Sequence, residues 1–403
     1  MSAFSKSGPT ISPDINRNSV TLTEILFLLS ITSIFIPWKV YPVFFILSSF
    51  LFLRESWPFH FQKWTIALAI YVGYGLAVFG LTYSGQNLEI SNATKLIVNM
   101  FFLVGSVHWL SHRDNTRLVH FLDWTLGFLL LFTLIQLLVY HASFDYRFAM
   151  GSASSGQGSA LYRPALYFWG LDDKNMMGAR IALLGIVFVF IPVQRHEKLS
   201  IIRIVFVFLV AFLSLSRTPM VALLIGVFAL IWMILDRKWR IILLVFLAII
   251  LPYFLTKVLR IDSITSSNDG MGIRIVYWTA FFNHFSKLSI WGGGFLEAGA
   301  FLKENAKFYR GEPHVHNTFM TTYVEFGLVG FLAFTSFISL FFKACYEQIQ
   351  QFGLWAMLFL PILSIMMILY SGYDNDIVVY FSLIWLVGTQ QRIDFRKTKI
   401  KAL

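Results

Sequence analysis

The stretch Glu312–Gly330, EPHVHNTFMTTYVEFGLVG, passes from a polar segment with two histidines directly into an apolar segment. His314 and His316 flank a valine, Asn317 follows, and Glu325 lies about two turns further on. Because the unperturbed pKa of histidine lies near neutrality, two histidines at the mouth of a membrane helix form a candidate site of proton transfer. The alternative is that they are amphipathic anchors at a membrane interface. The rest of the chain has to decide between these two interpretations.

The composition is that of a membrane protein with many spans. Only 13% of the 403 residues are charged, whereas a soluble globular protein carries roughly 25%. Long apolar runs are bounded by short basic clusters, as in helical membrane proteins. The net charge of +11 would indicate nucleic acid in a soluble protein. Here the cations lie mostly in short connections, so we expect a lipid bilayer and no nucleic acid as partner.

The hydropathy pattern predicts an all-α polytopic membrane protein with about twelve transmembrane helices. The predicted spans are 21–37, 40–53, 64–83, 95–110, 118–140, 176–193, 199–215, 219–235, 241–257, 316–342, 353–371 and 376–390. They divide the chain into an N-terminal tail (1–20), nine spans (21–257), a large loop (258–315), three spans (316–390) and a basic tail (391–403). The second and twelfth spans are short.

Lysine and arginine are distributed unevenly between the two sides of this predicted bundle. With the N-terminus inside, the inner connections and the C-terminal tail hold most of them, and the short outer connections hold only Lys39, Lys95 and Arg217. This bias predicts that both termini are cytoplasmic. The two long outer loops are then 141–175 and 258–315, and loops of this length are usually functional or disordered.

The second outer loop contains an amphipathic segment, IRIVYWTAFFNHF at 273–285. Its large apolar residues Trp278, Phe281, Phe282 and Phe285 recur at spacings of three and four, which suits a helix lying in the membrane interface. The segment either handles substrate or merely covers the bundle.

Three arginines occupy positions where a membrane protein rarely places a charge. Arg217 lies in the tight turn of LSLSRTPMVALL (213–224), Arg274 begins the amphipathic segment, and Arg180 lies inside the sixth span. A charge at membrane depth is a functional hypothesis by default. Three guanidiniums converging on an outer cavity would form a diphosphate site, because the planar fork bonds phosphate oxygens in pairs. The alternatives are a snorkelling anchor for Arg217 and an ion pair within the bundle for Arg180.

Metal and nucleotide cofactors are not expected. No Walker loop or Gly-rich dinucleotide loop is present. Asp374-Asn375-Asp376 has the form DxD, which holds a divalent cation in some enzymes, but acidic turns of this kind are usually solvated connectors.

Together these motifs resemble a known family. The SRTP turn, GIRIVYW (272–278) in a large loop, and HVHN running into a helix with EFGLVG are similar to the O-antigen ligase and polymerase superfamily of bacterial inner membranes. DDKNMMGAR (172–180) is similar to the entry into a middle span of that family. The resemblance covers about residues 170–335 and matches the N-terminal half only in layout.

The resemblance implies a GT-C-like membrane protein with a periplasmic active site. O-antigen ligases transfer a polysaccharide from undecaprenyl diphosphate to a sugar of the lipid A-core acceptor, without a metal. The essential histidine of the family would be His316, its turn arginine Arg217 and its loop arginine Arg274. The HxHN form favours a ligase, although polymerases, which use a second lipid-linked glycan as acceptor, share much of the motif.

The residues then take roles in a direct, inverting displacement. Arg217 and Arg274, with Arg180, would stabilise the leaving diphosphate. His316 would accept the proton of the acceptor hydroxyl. His314, Asn317, Glu325 and Asp376 would bind acceptor or orient the base. A transporter of lipid-linked glycans is a competing interpretation, but it would carry charges along a path through the bilayer rather than at the outer helix ends.

Overall fold

The structure is a computed structural model. It describes residues 20–36, 38–143, 146, 174–216, 218–253, 256, 270–388, 393–398 and 400–401. In these ranges the chain forms fourteen α-helices: α1 Leu22–Ser33, α2 Tyr41–Glu55, α3 Lys63–Thr82, α4 Asn87–Ser111, α5 Thr116–Ala142, α6 Lys174–Gln194, α7 Ile201–Leu213, α8 Thr218–Ile234, α9 Arg237–Tyr253, α10 Gly270–Asn283, α11 Glu297–Asn305, α12 Thr318–Ile349, α13 Phe352–Met366 and α14 Asn375–Gly388.

The helical character predicted from the sequence is confirmed, and each of the twelve predicted spans coincides with one helix. By length and composition, α3, α4, α5, α6 and α12 can cross a membrane. The helices α1, α7, α8, α13 and α14 are also apolar but shorter. The fold is that of an all-α membrane protein. The number of crossings and the division into domains remain predictions.

Two helices form the centre of the bundle. Every residue of α14 is buried, and so are 94% of the residues in the most apolar stretch of α6. Around them α2 packs on α4, α8 on both α6 and α13, and α12 along α3. Many contacts between these helices are aromatic, for example the stack of Phe341 on Phe381 with ring centroids 4.8 Å apart. The abundance of phenylalanine therefore has a packing role.

One departure from an all-helical chain is a short parallel pair of strands. β1 (Leu199–Ser200) pairs with β2 (Ile400–Lys401). The pairing brings the basic C-terminal tail against the connection between α6 and α7. Both segments therefore lie at the same end of the bundle, as the prediction of a cytoplasmic tail requires.

The segment 270–316 folds over the other end of the bundle. Residues of α10, α11 and the approach to α12 share a small apolar core of their own, which includes Tyr277, Phe281, Phe301 and Val315. The predicted apolar face of the amphipathic segment is therefore divided. Phe281 is buried in this core, whereas Phe282 and Phe285 are exposed. The helix α11 was not predicted.

The helix α12 is broken at Gly327, where φ is +62°. The glycine loop, which contains Gly292, Gly293 and Gly294, closes the break. The backbone N–H groups of Gly293 and Gly294 donate to the carbonyls of Val324 and Glu325 at 3.1 and 2.8 Å. The backbone N–H of Leu328 donates to the Ile290 carbonyl at 2.8 Å. Backbone groups that a broken helix leaves open are costly in a membrane, and the loop satisfies three of them.

Candidate active site

The candidate site lies at the N-terminus of α12. Asn317 caps this helix, since its Oδ1 accepts from the backbone N–H groups of Phe319 and Met320 at 3.0 Å each. Asparagine is among the preferred N-cap residues because its oxygen satisfies donors that the helix leaves open. The Asn317 amide also donates to the Met367 carbonyl at 3.1 Å. Asn317 therefore fixes the start of α12 against the end of α13.

His316 immediately precedes this cap and is held in an unusual conformation. Its φ is +55°, in the left-handed region that costs a non-glycine residue roughly 1–2 kcal/mol. Its imidazole stacks on the ring of Tyr277 from α10, with centroids 5.9 Å apart and planes 3° from parallel. Strained backbone of this kind clusters at active sites, where the surrounding structure maintains it.

The electrostatic environment keeps His316 neutral. Burial lowers its pKa to about 3, and the positive charge of Arg274 and the neighbouring His314 act in the same direction. A general base must be unprotonated to accept a proton. The imidazole therefore remains unprotonated over the whole physiological pH range, but it is a weaker base than a histidine with an unperturbed pKa.

Arg274 approaches the same place from α10, one turn before Tyr277. It is only 7% exposed, and its Nε donates to the Ile368 carbonyl at 3.0 Å. Arg274 and Asn317 thus bind successive carbonyls at the end of α13. Of the two predicted cations that the structure describes, Arg180 and Arg274, it is Arg274 that lies beside the histidines.

His314 has an unused hydrogen-bonding atom. Its Nδ1 is buried and finds no partner among the described residues. Burial lowers the pKa of His314 to about 4, with Asp374 opposing this shift and Lys95 adding to it. A buried nitrogen without a partner is costly unless a ligand or water satisfies it. His314 is therefore suited to contact a substrate hydroxyl.

Lys95 is a residue that the sequence interpretation placed wrongly. It was assigned to a short outer connection, but α4 begins at Asn87, so Lys95 lies two turns inside that helix. Its ammonium forms a salt bridge with Asp374 and lies 5.8 Å from the centre of the Tyr373 ring. Asp374 also accepts from the backbone N–H of Ser371 at 2.7 Å. The salt bridge fixes the segment between α13 and α14 beside His314.

Arg180 and Asp376 pair with each other. The Arg180 Nε donates to Asp376 Oδ1 at 2.8 Å, and Nη2 to Oδ2 at 3.3 Å. The Tyr370 hydroxyl donates to the same carboxylate at 3.2 Å, and Arg180 also donates to the Ile34 carbonyl. The guanidinium and the carboxylate are both buried. This geometry is the ion pair that the sequence left open as an alternative.

Glu325 lies deeper in the bundle, beside the break in α12. It is 1% exposed, and its Oε1 accepts from the Tyr373 hydroxyl at 3.3 Å. Its Oε2 has no hydrogen-bond partner among the described residues. Through Tyr373 it borders the segment that contains Asp374, rather than the histidine pair itself.

The remaining predicted cation, Arg217, lies outside the described residues. Its neighbours on the chain are described: the Ser216 hydroxyl bonds the Asn175 side chain at 2.9 Å, and a Cβ at Gly178 would lie 2.6 Å from Pro219. The start of α8 is thus packed tightly on the start of α6, two residues before Arg180.

In the described ranges no three His, Cys, Asp or Glu side chains are grouped to hold an ion. The two carboxylates of the DxD turn each pair with a cation, Asp374 with Lys95 and Asp376 with Arg180. What the site offers is a neutral imidazole beside a buried guanidinium, a combination suited to removing a proton while stabilising a nearby anion.

The sequence singled out Arg274 and His316 but not Tyr277 or Lys95. Tyr277 lies three residues after Arg274, and the helix predicted over 273–285 puts these two positions on one face. Lys95 had no comparable signal, because its partner is 279 positions away.

Comparison with known proteins supports the motif assignment. The chain has no match among the curated proteins. Residues 202–335, a third of the chain, match the family model described as O-antigen ligase, which confirms the resemblance to the O-antigen ligase and polymerase superfamily.

Proposed function

We propose that the protein is an O-antigen ligase of the bacterial inner membrane. Its donor is a polysaccharide on undecaprenyl diphosphate, and its acceptor is a sugar hydroxyl of lipid A-core on the periplasmic face. The observation that carries the proposal is the position of His316, which stacks on Tyr277 in a left-handed conformation beside the buried Arg274, at the start of the helix that follows the HVHN motif. The family match gives the reaction class, since its segment contains Arg217, Arg274 and His316.

The reaction is a single displacement at the anomeric carbon of the donor. The acceptor oxygen forms the new bond to this carbon while the bond to the diphosphate oxygen breaks. His316 takes the hydroxyl proton, and the diphosphate leaves with the bonding electron pair. General-base catalysis of this kind typically contributes 10²–10⁴-fold. The configuration at the anomeric carbon inverts, and no nucleotide is consumed.

The cations have different roles in this proposal. Arg274 and Arg217 stabilise the charge that develops on the leaving diphosphate. Arg180 acts indirectly, because its guanidinium is occupied by Asp376; it holds the segment that bears Asp374. His314 binds the acceptor through its free Nδ1, Asn317 sets the backbone of His316, and Glu325 supports the glycine loop and Tyr373.

The test is transfer by the purified protein in lipid vesicles. Lipid-linked polysaccharide is supplied either with lipid A-core or alone. A product on lipid A-core supports the ligase. Elongated lipid-linked glycan in its place would assign the chain to the polymerases, and no product with either acceptor would contradict both.

The variant His316→Ala separates catalysis from binding. We expect transfer to fall by roughly 10²–10⁴-fold while binding of the lipid-linked donor stays close to that of the native protein. The matched control is His284→Ala, because His284 lies on the same outer segment with its Nδ1 bound to its own helix. If donor binding falls together with turnover in His316→Ala, His316 is a ligand or a fold element and not the base.

A further inference from the structure

A cavity lies at the end of the bundle opposite His316. α8 starts beside α6 near the candidate site and runs seventeen residues, so its far end is about 25 Å away. There the end of α8 and the start of α9 border an open space of about 680 Å³, lined by Trp232, Leu235, Asp236, Arg237, Arg240 and Ile241. A second space of about 290 Å³ shares Trp232 and Arg240 and is bounded by the start of α13 and by residues 393–395.

Arg240 lies where the two spaces meet. Its guanidinium lies 5.4 Å from the centre of the Trp232 ring. Its Nε is buried and has no hydrogen-bond partner among the described residues. A guanidinium donor withdrawn from water without an acceptor is unfavourable. The cavity therefore contains a donor that an anionic group would satisfy, with the second guanidinium of Arg237 on the same wall.

The helix that leads away from these arginines is apolar on its outer surface. After Arg240, α9 exposes a continuous series of aliphatic and aromatic side chains, among them Ile241, Phe246 and Ile249, the last 71% exposed. An anionic group at Arg240 is thus followed directly by a hydrocarbon surface. This is the arrangement of a phospholipid, with its phosphate at the membrane surface and its acyl chains in the core.

We propose that the cavity between α8 and α9 binds the phosphodiester of a membrane phospholipid, with the acyl chains along α9. The arginine fork matches phosphate oxygens in pairs, and basic pockets between membrane helices are suited to lipid head groups. The carboxylates of Asp236 and Asp394 also line these spaces. Asp236 opposes part of the positive charge of Arg237 and Arg240, whereas Asp394 pairs with Lys397 at 3.5 Å; we therefore expect recognition to depend on the phosphate and not on a net negative head group.

The experiment measures lipid retained by the full-length protein in native mass spectrometry after exchange into detergent. Phosphatidylethanolamine, phosphatidylglycerol and diacylglycerol are offered separately. We expect the first two to be retained to within a few-fold of each other, and diacylglycerol, which has the same chains without the phosphate, to be lost. A large excess of inorganic phosphate should not displace the lipid, since it lacks the chains that contact α9.

Arginine variants test the site itself. Arg240→Gln should reduce retention of both phospholipids about tenfold, the effect of one hydrogen bond to a charged group. Arg237→Gln, whose side chain is exposed and not needed for packing, should act in the same direction. The matched control is Lys343→Gln, an exposed cation near the same end of the bundle but outside the cavity. Equal retention of diacylglycerol and phospholipid, or full retention in both arginine variants, would overturn the proposal.

Discussion

At the scale of single residues, the candidate base is defined by what surrounds it. The stack on Tyr277 restricts the plane of the His316 imidazole, and Asn317 fixes the backbone on its other side. The Tyr277 hydroxyl is in turn held by Glu312 and by the backbone N–H of Arg310. The orientation of the base therefore depends on the Tyr277 ring, and the hydroxyl contacts give that ring additional support.

Variants of Tyr277 test this dependence. Tyr277→Phe keeps the ring and removes the hydroxyl contacts, so transfer should remain close to the native rate. Tyr277→Leu removes the stack and should lower the rate by roughly 10–100-fold, because misplacement of a reacting group is costly. The measurement is turnover at saturating donor and acceptor. Equal losses in both variants would show that the hydroxyl contacts matter and the stack does not.

The lowered pKa of His316 predicts an unusual pH profile. Because burial and Arg274 disfavour the imidazolium, the base stays neutral as the pH falls from about 7 to about 5, well below the usual histidine range. The acid limb of kcat/KM, which reports groups of the free enzyme, should therefore not lie near 6.5. A midpoint there that disappears in His316→Ala would contradict the environment described for this residue.

At the scale of elements, the glycine loop packs closely against the break in α12. A Cβ at Gly327 would lie 2.3 Å from the Ile290 carbonyl oxygen, and one at Gly292 would lie 2.6 Å from that of Glu325. Both residues also have positive φ. This contact joins the outer segment, which includes α10 and Tyr277, to the bundle.

Alanine substitutions distinguish the cost of a left-handed backbone conformation from the cost of a steric clash. Gly311 has nearly the same φ as Gly292, +89° against +92°, but open space around it. Gly311→Ala should cost only the roughly 1–2 kcal/mol of a left-handed conformation. Gly292→Ala and Gly327→Ala should lower the midpoint of thermal unfolding in detergent considerably further. Equal decreases in the unfolding midpoint of all three variants would mean that the glycine loop moves aside at no cost.

The sequence predicted helices better than it predicted their contacts. Each apolar run became a helix because a membrane span must satisfy its backbone internally. Lys95 was misplaced because α4 begins about two turns before its apolar core. The pairing of Arg113 and Arg117 with Glu24 was also not predicted, since cations in short connections were interpreted only as signals of topology. Contacts between distant parts of the chain have no local pattern.

At the scale of the whole molecule, the proposed reaction requires that His316 face the periplasm. The structure places the start of α1 beside the α4–α5 connection through Glu24 and Arg113, and the C-terminal tail beside the α6–α7 connection. These contacts agree with the orientation that the lysine and arginine bias predicts. The orientation itself remains a prediction.

Reporter fusions test the orientation directly. A reporter active only in the periplasm should be active when fused at Gly158 or Asn305. It should be inactive at Arg237 or after Lys401. Protein levels in the membrane provide the control for each fusion. Activity at Arg237 would invert the bundle and place the proposed site in the cytoplasm.

The ion pairs beside the site also constrain how the protein is made. Lys95 precedes Asp374 by 279 positions, and Arg180 precedes Asp376 by 196. At about 5–20 residues per second, a ribosome needs roughly 15–60 s to supply the partner of Lys95. During that interval the nascent chain holds two cations whose carboxylate partners do not yet exist, so water, lipid phosphates or the insertion machinery must accommodate them. A chain that terminates before Asp374 never leaves that state, and we expect membrane proteases to remove it.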